Sequence, residues 1–344
     1  MPFAINLIAL ILSVAALAVG REFFLPIALA FCFHALLRPV VRWLEGLRIP
    51  TWLGATFVVL SALAIVVGVG WALSAPVGSF LEKAPTSIAK ARAKVREMSR
   101  PFQRVSAAAA GQDSTAKPAP APTTVAPTPA APVPPLFAAL LGRGTVFVAG
   151  FIEVLVLLYL MLAAGNLLFR KLVKVMPGPD DKRTVSDVLH ETESIVSRYL
   201  LVTALINVAQ GIAVGLAMWA IGMPDPWMWG VLTFVMEFIP YLGGAINVGL
   251  LLVTGFTTFS STGQVLLGPA LYLVITTIQN NVVSPYAYGN RLKLNPLAVM
   301  ICVMFWWFIW GIPGVFLSIP IAATLKVLGD QVPRLRALGE LLGD

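Results

Sequence analysis

Charge is the scarcest property of this sequence. Only 12% of its 344 residues are Asp, Glu, Lys or Arg, and 58% are apolar. A soluble domain carries about 25% charged and about 45–50% apolar residues. The shortage excludes an ordinary soluble enzyme, a disordered chain and a coiled coil. Histidine and cysteine are scarcer still, with two of each. His34 and His190 give no cluster for a metal. Cys32 and Cys302 sit in apolar runs and give neither a disulfide framework nor zinc-ligand spacing. There is no GxxxxGK[ST] phosphate loop, no GxSxG nucleophile elbow and no HExxH helix. The expectation is therefore a non-enzymatic protein without cofactor or metal, and not a self-contained ATP-driven pump. The formal net charge of +8 is read as contact with lipid headgroups rather than with nucleic acid.

Long apolar runs are what the sequence does have. A helix needs about 20 apolar residues to cross the hydrocarbon core. Residues 1–20 carry no charge, 23–37 carry none and continue as an apolar pattern past Arg38 and Arg42, and 49–81 carry none. Residues 144–169 hold only Glu153, 199–224 hold no charge, 226–290 hold only Glu237, and 294–325 hold none. The 226–290 stretch has room for two crossings, divided near Gly255–Gly263. The expected fold is all-α: a polytopic helical membrane protein of about eight transmembrane helices, with Pro/Gly-broken helices in the C-terminal half. No Lys or Arg precedes the first run and a second follows at once, unlike a signal peptide. It is expected to turn back at Gly20-Arg21-Glu22 as a helical hairpin.

Residues 1–75 then form an N-terminal group of three spans, and 144–328 a C-terminal group of five. Between them lies a basic extracytoplasmic segment, 76–143, and a tail follows at 329–344. With eight spans both termini share a side. That side gathers twelve Lys/Arg, in 38–48, 170–198 and 326–344, against three on the other, Arg21, Arg291 and Lys293. The count sets aside 76–143, because loops beyond roughly 60 residues escape the positive-inside rule. Both termini are expected to be cytoplasmic.

Residues 82–104 place Ile88, Ala91, Val95 and Met98 on a thin apolar face against seven basic residues. This reads as a solvated spacer helix, or one resting on anionic headgroups. Residues 105–135 are rich in Ala, Pro and Thr and form an expected disordered linker, too poor in large apolar groups to offset ordering entropy. The connector 170–198 has mixed charge, and Thr184-Val185-Ser186-Asp187 resembles a capping box that would start a helix there.

Chemistry inside the membrane is expected where apolar helices break, because unpaired backbone must face protein or water. Two stretches carry that signature. One is Glu237-Phe238-Ile239-Pro240-Tyr241-Leu242-Gly243-Gly244; the other is Gly311-Ile312-Pro313-Gly314 with Ile319-Pro320. Proline removes a donor and glycine admits the altered backbone. Interrupted hydrophobic segments point to transporter sites. A carboxylate at membrane depth is a functional candidate by default, so Glu237 is singled out as a proton carrier. Amides accompany it: Asn207 and Gln210 in the fifth span, and Gln279, Asn280 and Asn281 ending the seventh. They can bind hydroxyl and carbonyl groups without charge, or simply bridge helices. The expected solute pathway is Glu237, Pro240, Tyr241, Gly243, Gly244, Asn207, Gln210, Gln279, Asn280, Asn281, Pro313 and Gly314. Gly211 and Gly215 form a GxxxG pattern read as close helix packing.

Three stretches together carry a resemblance. The first runs from Leu25-Pro26 to Pro39-Val40-Val41-Arg42-Trp43-Leu44. The second is Gly222-Met223-Pro224 with Phe234-Val235-Met236-Glu237-Phe238-Ile239-Pro240-Tyr241-Leu242-Gly243. The third starts at Asn281-Val282-Val283-Ser284-Pro285 and Gly289-Asn290-Arg291-Leu292-Lys293-Leu294-Asn295-Pro296. It continues through Trp310-Gly311-Ile312-Pro313-Gly314 to Ile319-Pro320 and Lys326-Val327. In order and spacing they resemble the autoinducer-2 exporter (AI-2E) family, formerly an uncharacterised family of bacterial permeases. The resemblance runs from residue 5 to about 330, apart from the Ala/Pro-rich insert. Gly244 stands where many members have Pro, and Asn295 where many have His. The resemblance implies a homo-oligomer in the bacterial inner membrane, with autoinducer-2 export in some members and cation/proton exchange in others.

The resulting expectation is a secondary transporter exporting a small polar solute, autoinducer-2 being one candidate, driven by protons through Glu237. Its partners are the lipid bilayer, the solute, and protons or Na⁺. A cation antiporter is the alternative, marked by a Na⁺-dependent pH change in vesicles. A non-transporting scaffold is another, and its phenotype would depend on 76–143 rather than on the membrane breaks.

Overall fold

The computed structural model describes residues 2–109, 144–288, 294–332 and 336–343. Every element among them is helical. In chain order they are α1 (Pro2–Val19), α2 (Arg21–Gly46), α3 (Thr51–Ala109), α4 (Gly144–Ala164), α5 (Leu167–Val175), α6 (Pro179–Ala220) and α7 (Pro226–Met236). There follow α8 (Leu242–Thr258), α9 (Thr262–Ile278), a π-helical turn (Gln279–Val283), α10 (Ser284–Tyr288), α11 (Pro296–Trp310), α12 (Ile312–Gln331) and α13 (Arg336–Leu342). Five described helices are long and apolar enough to cross a membrane: α2, Thr51–Ser79 of α3, Val185–Ala220 of α6, Thr262–Tyr288 and α12. A sixth span results if α4 and α5, bent by 67°, count as one. Four shorter apolar helices accompany them. The protein is thus a polytopic helical membrane protein whose C-terminal half is built from broken helices.

Apolar side chains both face outward and pack inward, as a lipid-solvated bundle requires. Phe57, Trp71, Trp219 and Phe308 are exposed. Inside, one cluster joins α2, α3 and α4 through Ala30, Val41, Ala55, Val58 and Leu162. A second joins α2, α6, α11 and α12 through Cys32, Val196, Trp310 and Leu317. A third joins α6 to α9 through Val214, Met218, Trp229, Leu251 and Tyr272.

Two pairs of helices turn back on themselves. The helix α7 stops at Met236 and α8 returns, so that Phe259 at its end packs against the cluster that holds Met223 and Met228. The pair α11–α12 does the same from the other side. The Asn295 N–H at its start donates to Leu342 O in the tail at 3.0 Å. Phe238 of the first pair meets Phe316 of the second, ring centroids 5.7 Å apart. The helix α6 spans the distance between the two entrances. Its early part contacts the tail, where Gln331 donates to Glu191, and its end leads into α7.

Several expectations need correction. Residues 294–325, read as one crossing, are two antiparallel helices. Gly311 has φ +64 and ψ −141, which breaks the helical path, and Gly314 packs where any Cβ would strike the Trp306 carbonyl. Asn295, expected on the side opposite the tail, hydrogen-bonds to it. At the expected turn, α1 meets α2 at Gly20, and Val14, Leu17 and Ala18 pack against the cluster that holds Cys32 and Trp310. The capping-box residues lie inside α6, which begins earlier, at Pro179 after Gly178. Proline suits that first position because its missing N–H would be unpaired there anyway. The linker expected at 105–135 lies outside the described residues from 110 onward.

Candidate functional site

Side chains from four elements converge behind the tip between α7 and α8. The tip forms because Pro240 cannot donate to the preceding turn. Tyr241 is left with φ +63, a conformation that non-glycine residues seldom adopt. Gly243 then packs directly on the Met236 carbonyl, with no space for a side chain. The reversal leaves Glu237, half-buried, at the end of α7.

Glu237 Oε1 accepts hydrogen bonds from Tyr272 OH at 2.7 Å and Gln210 Nε2 at 2.9 Å. Gln210 Nε2 also donates to Thr276 Oγ1 at 3.0 Å. Asn247 Nδ2 donates to the Tyr272 hydroxyl at 3.3 Å. Gly244 faces this hydroxyl, which stands 3.5 Å from the position of a Cβ. Gln210, Asn247 and Tyr272 are almost fully buried. Among the described ion pairs, none involves Glu237. Among the described residues its carboxylate is therefore held by neutral donors.

The cluster continues along α6 toward the tail. Thr203, Asn207 and Gln210 recur at spacings of four and three, hence on one face. All three are buried. Thr203 Oγ1 lies 2.8 Å from Tyr288 OH, and Tyr288 stacks on Tyr199 at 5.7 Å. Between these contacts and Glu237, Asn207 Nδ2, Gln210 Oε1 and Gln279 Oε1 are buried without a protein partner, as is Asn247 Oδ1. An unmet buried polar group costs about 1–3 kcal/mol, so such atoms mark places for water or a polar ligand.

The expected pathway residues therefore divide. Glu237, Gln210 and Gly244 meet in the cluster, and Asn207 lies one turn away. Pro240 and Gly243 shape the tip, while the Tyr241 side chain is exposed. Gln279 bonds to Ser284 Oγ and Asn281 to the Thr277 carbonyl, within their own helical segment. Asn280 and Asn281 are exposed. Pro313 and Gly314 belong to the second hairpin. Pro313 lines an apolar cleft of about 650 Å³ with Leu25, Pro26, Phe151, Val235 and Ile312. Sequence reading missed Tyr272, Thr276 and Asn247. The four-residue spacing of Tyr272 and Thr276 in an apolar helix was the available signal.

Comparison with known proteins adds a family. The model described as AI-2E family transporter matches residues 7–334. A "Putative transport protein" of Borreliella burgdorferi is 28% identical over 200 residues, 57% of this chain and 54% of that protein. The "AI-2 transport protein TqsA" of Escherichia coli K12 is 27% identical over 149 residues, 43% of each chain. A "Putative transport protein" of Haemophilus influenzae is 22% identical over 347 aligned positions, 99% of this chain and 95% of that one. For the first two, the matched part spans about half of the relative's length.

Proposed function

This chain belongs to the AI-2E family of transporters, and we propose that it is a multi-pass secondary transporter of the bacterial inner membrane that exports a small polar solute in exchange for protons. The observation that carries the reading is the Glu237 carboxylate, set at a helix break and held by Gln210 and Tyr272, with no ion pair among the described residues. An ionised carboxylate only accepts hydrogen bonds, whereas a protonated one also donates. Taking up a proton would thus change what Glu237 offers a solute oxygen, which is the coupling an exchanger needs. The buried, unpartnered amide atoms of Asn207, Gln210, Asn247 and Gln279 supply donors and acceptors for an uncharged, oxygen-rich solute.

Autoinducer-2 is the first solute to test, because one relative is named for its transport. Both termini are assigned to the cytoplasm on the distribution of Lys and Arg, and the working unit is taken as a homo-oligomer. Residues 1–75, 144–328 and 329–344 are proposed as the two membrane groups and the tail, with 76–143 outside the cytoplasm. The test is flux of labelled autoinducer-2 from proteoliposomes with and without an imposed pH gradient, with internal pH followed in parallel. Gradient-dependent solute movement that carries protons supports the reading. A pH change on adding Na⁺ without solute movement replaces it with cation exchange.

A further inference from the structure

The tail-side end of the molecule holds a second polar cavity, remote in character from the Glu237 cluster. It is a cleft of about 420 Å³ between α5 and the first part of α6. Arg170, Lys174 and Lys182 line it, together with Asn166, Ser186 and His190. No described acidic side chain lines it, and none of its three cations has an ion pair among the described residues. Like charges gathered around one cavity repel each other unless an anion neutralises them.

Asn166 is turned to donate. Asn166 Oδ1 accepts from Arg38 Nη2 at 3.4 Å, which leaves its amide NH₂ available. His190 Nδ1 lies 2.8 Å from the Ser186 carbonyl. The carbonyl can only accept, so the neutral ring carries its proton on Nδ1 and Nε2 is an acceptor; His190 borders the cleft without donating into it. Phe169 and Leu189 form the apolar floor.

The setting specifies where the anion comes from. The helix α5 follows the span α4 directly and is bent 67° away from it. It carries Arg170, Lys171 and Lys174 beside the exposed Leu167 and Val175. A short helix with both faces after a span lies in the headgroup layer, with apolar side chains toward the acyl chains. Basic pockets at that depth suit phospholipid headgroups. We propose that this cleft binds the phosphate of an anionic phospholipid, with Arg170, Lys174 and Lys182 around the charge. Asn166 and Ser186 bond to headgroup oxygens, and Phe169 and Leu189 contact the glycerol backbone. The site is independent of the transport reading.

The test uses the full chain in nanodiscs of phosphatidylglycerol and phosphatidylcholine, with retained lipid measured by native mass spectrometry. The wild type is expected to keep phosphatidylglycerol preferentially. Retention should weaken about fivefold for each cation removed in Arg170→Gln, Lys174→Gln and Lys182→Gln. Ser186→Glu, which adds an anion without removing a cation, should give a similar loss and serves if the Gln variants do not fold. Arg336→Gln, at an exposed position of α13, should change nothing. Equal retention by wild type and cleft variants overturns the site. So does equal retention of both lipids. Titration with inorganic phosphate separates the sources: displacement of bound phosphatidylglycerol supports the assignment, and phosphate binding without lipid preference overturns it.

Discussion

Gln210 and Tyr272 donate to the same oxygen of Glu237, Oε1, at 2.9 and 2.7 Å. One helix contributes the amide and another the phenol, and the acid comes from the hairpin tip between them. Any movement of that tip relative to α6 or α9 must break or lengthen one of these bonds. The protonation of a single carboxyl group is thereby tied to the packing of three elements.

Glu237→Gln tests the coupling directly. The substituted amide oxygen still accepts from Gln210 and Tyr272, so the thermal unfolding midpoint should stay close to wild type. Gradient-driven flux in proteoliposomes should vanish. Flux that still follows the pH gradient would remove Glu237 from the mechanism.

Tyr272→Phe separates the support from the charge. It strips one donor from Glu237 and leaves Asn247 Nδ2 without its acceptor. Unmet buried polar groups cost about 1–3 kcal/mol, and denaturant unfolding should show a loss of that order. Transport should fall without loss of gradient dependence, since the carboxyl group remains.

Gly230→Ala probes the contact that positions α7. A Cβ at Gly230 would stand 2.7 Å from the Gly211 carbonyl, and one at Gly211 would stand 2.6 Å from the Gly230 carbonyl. Backbones this close require small residues, and overpacking costs about 1–3 kcal/mol. A Cβ at Gly249 in α8 meets nothing within 4 Å. Gly249→Ala should therefore be neutral or stabilise by about 0.4–1 kcal/mol. Thermal melts of the two variants should move apart.

Single cysteines introduced in a background without Cys32 and Cys302 should report the two hairpin entrances. Pro224→Cys and Gly263→Cys should react with an impermeant thiol reagent from one face of the membrane. Asn295→Cys and Leu341→Cys should react from the other. Labelling of Asn295→Cys from the same face as Pro224→Cys would contradict the antiparallel α11–α12 pair.

Much of this was readable from residue types. Glu237 and Pro240 stand out because a carboxylate and a proline are both expensive in an apolar run, and Gln210 stands out for the same reason. Tyr272 and Thr276 do not, because either residue sits comfortably in a membrane helix until a partner faces it. The π-helical turn gives Gln279 Nε2 to Ser284 and Asn281 to the Thr277 carbonyl, while Gln279 Oε1 keeps no protein partner. The length rule reads 294–325 as one crossing because no charge interrupts it. Only the backbone at Gly311 and the close approach at Gly314 reveal the reversal. Hydropathy registers how much of a chain lies in the membrane, but not the direction in which it runs there.

The uninterrupted helix α6 also has a mechanical consequence. About a third of the way along, it is pinned by Glu193, which accepts from Arg42 at 2.9 Å, and about 25 Å further on it carries Gln210. A rigid rod of that length amplifies small rotations. A tilt of about 5° pivoting at Glu193 displaces Gln210 by about 2 Å, enough to sever its bond to Glu237 when the motion points away. A small shift of one half-buried ion pair is thereby magnified into a change in the solvation of the Glu237 carboxylate.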